Sequence, residues 1–180
     1  MYPGKNLGAY GDAGIITTNN KFFYQKIRKI RNLGSEIKFI HDTIGLNSRL
    51  DTIQAIILNN KLKNLTKYNL KRKKIASEYN KRINNKKILK LHYSKHSVYH
   101  QYVIIVKQRS QLIKYLNKFN IQYGFHYPYA IHQLKVFKKY FKDQILPNSE
   151  ILSKYGISIP IDPNLTKKEI SLIINRLNSF

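Results

Sequence analysis

Half of the chain's eight glycines fall between Tyr2 and Gly14, in YPGKNLGAYGDAG, around a single lysine, Lys5. Glycines allow backbone to approach something flat or bulky closely. A lysine held in a dry, crowded pocket loses basicity and becomes a nucleophile, which is how carbonyl-binding lysines are made. The plainer reading of the same residues is a glycine-rich turn carrying an exposed lysine. The segment is not a phosphate-binding P-loop, because Asn6 follows Lys5 where Ser or Thr is required. Nor does it match GxGxxG after a strand.

Other chemistry is sparse. The nine acidic residues include Asp12, Asp42 and Asp51 near other motifs, but no acid/base pair of the glycosidase kind. His92, His96 and His100 sit four apart in HYSKHSVYH. On a helix they would share a face and could bind a metal. Here the stretch runs from a loop into a strand, where that spacing does not converge, so no metal site is expected. Lys63, Lys67, Lys71 and Lys74 form a stripe that reads as a solvated helix face, although it could grip phosphates. The absence of cysteine removes disulfides, thiolate ligands and thiol nucleophiles.

The elements that must position these residues alternate strand and helix, an α/β order. GIITT reads as a strand. Asn19 or Asn20 caps a helix from about Lys21 to Leu33, with Phe23, Ile27, Ile30 and Leu33 as its apolar stripe and Gly34 as its stop. Residues 35–49 read as irregular. A long helix spans about Leu50 to Ile83, marked by Ile53, Ile57, Leu65, Ile75, Tyr79 and Ile83. Three strands are predicted in the second half, at 99–106, in IQYGFHY and in GISIPI. Ser110 is expected to cap QLIKYLNKF, and TKKE from Thr166 is a capping box opening the last helix.

Length allows one good core or two small ones at 180 residues. The 42% hydrophobic content argues for a folded chain. The strongest apolar run, VIIV at 103–106, is far too short to span a membrane. No apolar signal-peptide core stands at the N-terminus, and the expected location is the cytoplasm. The net charge of +24 raises the alternative of a basic nucleic-acid-binding protein. The lysines are scattered along the chain, whereas a nucleic-acid footprint would concentrate on one element. Lys, Asn, Ile and Tyr are abundant together, which reads as compositional bias.

PGKNLGAYGDAG followed by a strand resembles the cofactor-lysine segment of the DegT/DnrJ/StrS family of pyridoxal-phosphate-dependent sugar aminotransferases. IRNLGS at 30–35 and GLNSRLDTIQAIIL at 45–58 continue the likeness; the family shows G-[YF]-N-x-R-x-D-x-x-Q-A-A there. VYHQYVI at 98–104, GFHYP at 124–128 with His132 beyond, and SIPIDPNLT at 158–166 follow in the family's order.

The resemblance implies an α/β fold, the C-terminal part of a type I pyridoxal-phosphate-dependent transferase. Residues 1–70 would be the tail of the large cofactor-binding domain with the start of a bridging helix, and 71–180 the small C-terminal α/β domain. It implies pyridoxal 5'-phosphate held by Lys5 as a Schiff base, with the freed Lys5 amine later moving a proton. Asn47 would reach a dimer partner's cofactor phosphate, assisted by Arg49, and His126 and Tyr127 would bind substrate. For Asn47 and Arg49 a capping or surface role stays open, and for His126 that of a buried, satisfied core histidine. The implied reaction moves an amino group from a donor such as glutamate to a nucleotide-linked keto-sugar, in amino-sugar or surface polysaccharide biosynthesis. The glycines would let backbone pass close to the cofactor ring and neighbouring strands. The part of the family sequence ahead of the lysine segment, with its ring-stacking and phosphate contacts, has no counterpart here. The resemblance therefore implies a truncated polypeptide, inactive alone, whose full-length form is a homodimer.

Overall fold

Helix α1 (Lys21–Ile30) begins where the sequence places its cap: the Asn20 side chain accepts from the Phe23 amide at 3.2 Å. It ends at Ile30, and Gly34, at φ +76°, donates its amide to the Lys29 carbonyl at 2.9 Å. The computed structural model describes residues 1–141 and 144–180. They form two compact units, Met1–Thr66 and Lys67–Phe180.

In the first unit, residues 35–49 are not wholly irregular. Strands β1 (Ser35–Ile37) and β2 (Ile40–His41) form a short antiparallel hairpin. Its turn uses Phe39 at φ +70°, a residue type that carries no turn signal. Lys29 ties the hairpin to α1, with Nζ 2.6 Å from Asp42 and 3.6 Å from Glu36. The Asp42 carboxylate raises the Lys29 pKa, and the ammonium lowers that of Asp42. GIITT makes no strand: residues 14–18 lie outside any ladder among the described residues, and Ile15 is 75% exposed. A β-branched run becomes a strand only when a neighbour pairs with it. The expected α1 stripe is only partly covered: Phe23 and Leu33 are exposed, Ile27 and Ile30 half-buried, and no residue of α1 is buried. Ala9 and Leu58 are the buried apolar side chains of this unit among the described residues.

Helix α2 (Thr52–Arg82) runs from the first unit into the second. Its C-terminal half presents Ile75, Ala76, Tyr79 and Ile83 to the second unit's core. The predicted marker Ile53 is exposed. The stripe residues Lys63, Lys67 and Lys74 face solvent, and Lys71 is half-buried with Nζ 5.9 Å from the Tyr68 ring.

The second unit is built on an antiparallel sheet in the order β3 (Leu89–Lys90), β4 (Tyr102–Ile105), β5 (Gly156–Ile159). Helices α3 (Arg109–Lys118), α4 (Pro147–Tyr155) and α5 (Lys167–Asn178) accompany it. Ile104, Ile157, Leu112, Leu116, Ile174 and Leu177 are fully enclosed. Tyr79 joins them, with its hydroxyl donated to the Pro160 carbonyl at 2.8 Å. Burial raises the Tyr79 pKa and pushes that of Tyr102 up to about 12. The capping box forms as predicted: Thr166 accepts from the Glu169 amide, and Glu169 accepts from the Thr166 amide at 2.7 Å.

Two expectations fail here, and one element was not foreseen. Ser110 lies inside α3, whose cap position is Gln108 with no side-chain cap bond. IQYGFHY supplies one isolated bridge, Gly124 to Ser158, and no strand. Helix α4, opened by Pro147, was not expected.

Candidate functional site

The Lys5 segment folds into a closed turn. Lys5 donates its amide to the Tyr2 carbonyl and Ala9 to that of Met1, each at 2.9 Å. The turn doubles back so tightly that a Cβ on Gly8 would lie 2.2 Å from the Pro3 carbonyl oxygen. That contact requires glycine at position 8, and it is a contact of the turn with itself. Gly14 meets nothing within 4 Å. The crowding thus sits on the backbone, and Lys5 itself is exposed, not enclosed in a dry pocket. Among the described residues its amine has no hydrogen-bonding or ionic partner.

Two α2 side chains hold this loop. Gln54 accepts from the Tyr10 amide at 2.8 Å. Lys61 donates to the Gly8 carbonyl at 2.7 Å and lies 4.6 Å from the centre of the Tyr10 ring. Sequence reasoning did not single out either residue. The available signal was the glutamine of DTIQAIIL, whose role as an acceptor for a distant amide depends on the loop's fold.

Asn47 and Arg49 lie on a loop strapped to the end of α1. Leu46 donates to Ile30 at 2.7 Å, Ser48 to Arg31 at 2.9 Å, and Leu33 to Leu46 at 3.0 Å. The first two bonds satisfy carbonyls that the helix end leaves open. The strap requires two glycines. A Cβ on Gly34 would lie 1.6 Å from the Thr43 oxygen, and one on Gly45 would lie 2.0 Å from the Gly34 nitrogen. Arg49 Nε donates to Asn47 Oδ1 at 3.0 Å, which leaves the Asn47 amide hydrogens and the outer Arg49 nitrogens available. Asn47, Ser48 and Arg49 line an open cavity of about 1040 Å³. The lysine loop borders it through Tyr2 and Asp12, while Lys5 is not among its lining residues. Neither Asn47 nor Arg49 caps a helix.

His126 and Tyr127 belong to the second unit. Both are exposed, so His126 is not a buried core histidine. The imidazole is nonetheless fixed: Nδ1 is 2.8 Å from Ser158 Oγ, and its Cε1 would lie 2.7 Å from a Cβ on Gly124. The buried histidine is His132, whose Nε2 meets Glu150 Oε1 at 3.1 Å.

A sequence profile of the DegT/DnrJ/EryC1/StrS aminotransferase family matches residues 1–178. The chain belongs to that family. This aminotransferase-family chain is 37% identical to the dTDP-3-amino-3,6-dideoxy-alpha-D-galactopyranose transaminase of Aneurinibacillus thermoaerophilus, over all of its own length and 54% of that protein. It is 30% identical to the dTDP-3-amino-3,4,6-trideoxy-alpha-D-glucose transaminase of Streptomyces venezuelae, over all of its own length and 48% of the other. Its fold matches the crystal structure of S. venezuelae DesV in complex with a ketimine intermediate, with a TM-score of 0.93 and 30% identity, over 99% of this chain and 49% of that one. The family chain therefore has the α/β fold of these aminotransferases and spans about half the length of the relatives it matches.

The side chains present suit the cofactor implied for this family. An exposed, unpartnered amine on a hydrogen-bonded turn fits attachment of an aldehyde. Free amide and guanidinium donors on one cavity wall fit a phosphate.

Proposed function

We propose that this polypeptide supplies the cofactor lysine and the C-terminal part of a pyridoxal-phosphate-dependent aminotransferase that aminates a nucleotide-linked keto-sugar. The amino donor is an amino acid such as glutamate, and the product feeds amino-sugar or surface polysaccharide biosynthesis. The supporting observation is the Lys5 turn, closed by Gly8 and held by Gln54 and Lys61, with the amine left free. The relatives' names support the substrate class.

Pyridoxal phosphate, when bound, is the electron sink for the reaction. Lys5 Nζ holds it and, once released, takes up and returns a proton. Asn47 and Arg49 donate to the phosphate of a second copy's cofactor, which makes the active form a homodimer. His126, oriented by Ser158, and Tyr127 contact the sugar. Residues 1–70 act as the tail of the large domain and 71–180 as the small domain. The lack of cysteine suits work in the cytoplasm.

The test is a chimaera in which this chain replaces the matching half of the S. venezuelae transaminase. It is loaded with the aminated cofactor and offered nucleotide-linked keto-sugars, free keto-cyclitols or keto acids. Conversion to the aldehyde form, seen by absorbance, is expected with the nucleotide-linked sugars. Conversion by the other acceptors alone sinks the substrate class. Mixed dimers of Lys5→Ala and Asn47→Ala subunits are expected to regain activity at one site; a mixture that stays inactive while each variant dimerises refutes the shared site.

A further inference from the structure

Residues 91–101, which carry HYSKHSVYH, connect β3 to β4 and wall a cavity of about 190 Å³ in the second unit. That is several times a water molecule's share of about 30 Å³. It is below the roughly 300 Å³ at which pockets for drug-sized ligands begin. A single planar ring with its substituents is the size that fits. None of the lining residues has a role in the proposed function, and the site stands independently of that reading.

The aromatic part of the wall is fixed in advance. Tyr93, Tyr99 and Tyr102 line the cavity. Tyr99 is held at φ +44°, a left-handed conformation that a bulky residue keeps only where its surroundings enforce it. Its hydroxyl accepts from the Ser94 amide at 2.9 Å and donates to the Ser94 carbonyl at 3.0 Å. Its own amide donates to Ser97 Oγ at 3.2 Å. Its ring stacks on that of Tyr93, with centres 5.6 Å apart and planes inclined by 18°. A wall ordered before binding costs a ligand little entropy.

The polar part is unsatisfied. Gln101 is half-buried and lines the same cavity, and among the described residues its side-chain amide has no hydrogen-bond partner. A carboxamide presents an acceptor oxygen beside two N–H donors. The imide edge of a uracil ring, an N–H beside a carbonyl, is its complement, and glutamine pairs bidentately with base edges for the same reason. Tyrosine rings supply a surface on which a base stacks. We infer that this cavity binds a uracil-type pyrimidine base, with its face on the tyrosine wall and its imide edge on the Gln101 carboxamide. The base arrives either as a free nucleoside or as the end of a nucleotide-linked sugar.

Calorimetric titration of the 180-residue chain with uridine and with N3-methyluridine tests this. The methyl group removes the ring N–H and leaves the face of the ring in place, so N3-methyluridine is expected to bind about tenfold more weakly or worse. Gln101→Met keeps the side-chain length and removes the amide. It is expected to weaken uridine by a similar factor and to leave N3-methyluridine unchanged. If Gln101→Met loses its circular dichroism signal, the two nucleosides on the unaltered chain decide. Equal affinity for both nucleosides, parental uridine affinity in folded Gln101→Met, or no detectable uridine binding overturns the site. Tighter binding of adenosine than of uridine overturns the one-ring assignment. Uridine diphosphate glucose identifies the source. Affinity that falls in Gln101→Met as that of uridine does assigns the base to a nucleotide-linked sugar, and affinity unchanged by the substitution assigns a free nucleoside. The chimaera assay reads the aminotransferase function separately, so failure of this site leaves that reading standing.

Discussion

Gly34 and Gly45 pack backbone against backbone, so closely that a Cβ on Gly45 would lie 2.0 Å from the Gly34 amide nitrogen. This contact presses the loop carrying Asn47 and Arg49 onto the end of α1. The positions of the Asn47 and Arg49 side chains therefore depend on two residues that have no side chain.

Gly45→Ala is expected to force the strap open. The amides of Leu33, Leu46 and Ser48, which make the strap bonds, should lose hydrogen-exchange protection by about tenfold or more. Protection in β4 and β5 should be unchanged. Retention of strap protection in the variant would show that the loop can hold its place without the close approach.

Lys5 is expected to be the residue fixed to pyridoxal phosphate by borohydride, read by peptide mapping of the chain. Gln54→Ala removes the acceptor for the Tyr10 amide and should lower the selectivity for Lys5 over other lysines, because the loop loses one of its two ties to α2. Preferential labelling elsewhere in the unaltered chain removes Lys5 from its proposed role.

Tyr79→Phe keeps the buried ring and deletes the hydroxyl donated to the Pro160 carbonyl. The second unit should lose about 1 kcal/mol, as expected when a half-buried acceptor loses its donor. Denaturant unfolding followed by tyrosine absorbance and circular dichroism measures it. A variant as stable as the parent means that water replaces the hydroxyl at no cost.

Glu150 accepts from the Leu146 amide and from His132, and these bonds lower its pKa, the amide contributing first. A carboxyl with a depressed folded-state pKa contributes stability above its unfolded value of about 4.5 and loses it as pH falls through the folded value. Glu150→Gln should therefore be less stable than the parent at pH 7, and the gap should close on acidification towards pH 3. Thermal unfolding across that range checks the sign. A gap that stays constant with pH means the carboxylate contributes no charge-dependent stability.

What the sequence determined is what lies within a few residues. Asn20 caps α1 and Thr166 with Glu169 opens α5 because a cap needs only its own first turn. The long helix was legible because its apolar residues recur along one 31-residue element. The order of motifs around Lys5, Asn47 and His126 was legible for the same reason: each is a local string. The tertiary structure decided everything that needs a distant partner. GIITT and IQYGFHY have the composition of strands, yet a ladder is made by two segments, and neither string carries its neighbour. Gly8 looked like room for a ligand and is room for Pro3. Gln54 was visible in its motif, but the Tyr10 amide that it accepts from is 44 residues away. Arg28 and Arg31 were two basic residues in a basic chain until the fold made them line one cavity with Asn47 and Arg49. Charge and apolarity are properties of a residue, whereas pairing, crowding and concavity are properties of two segments at once.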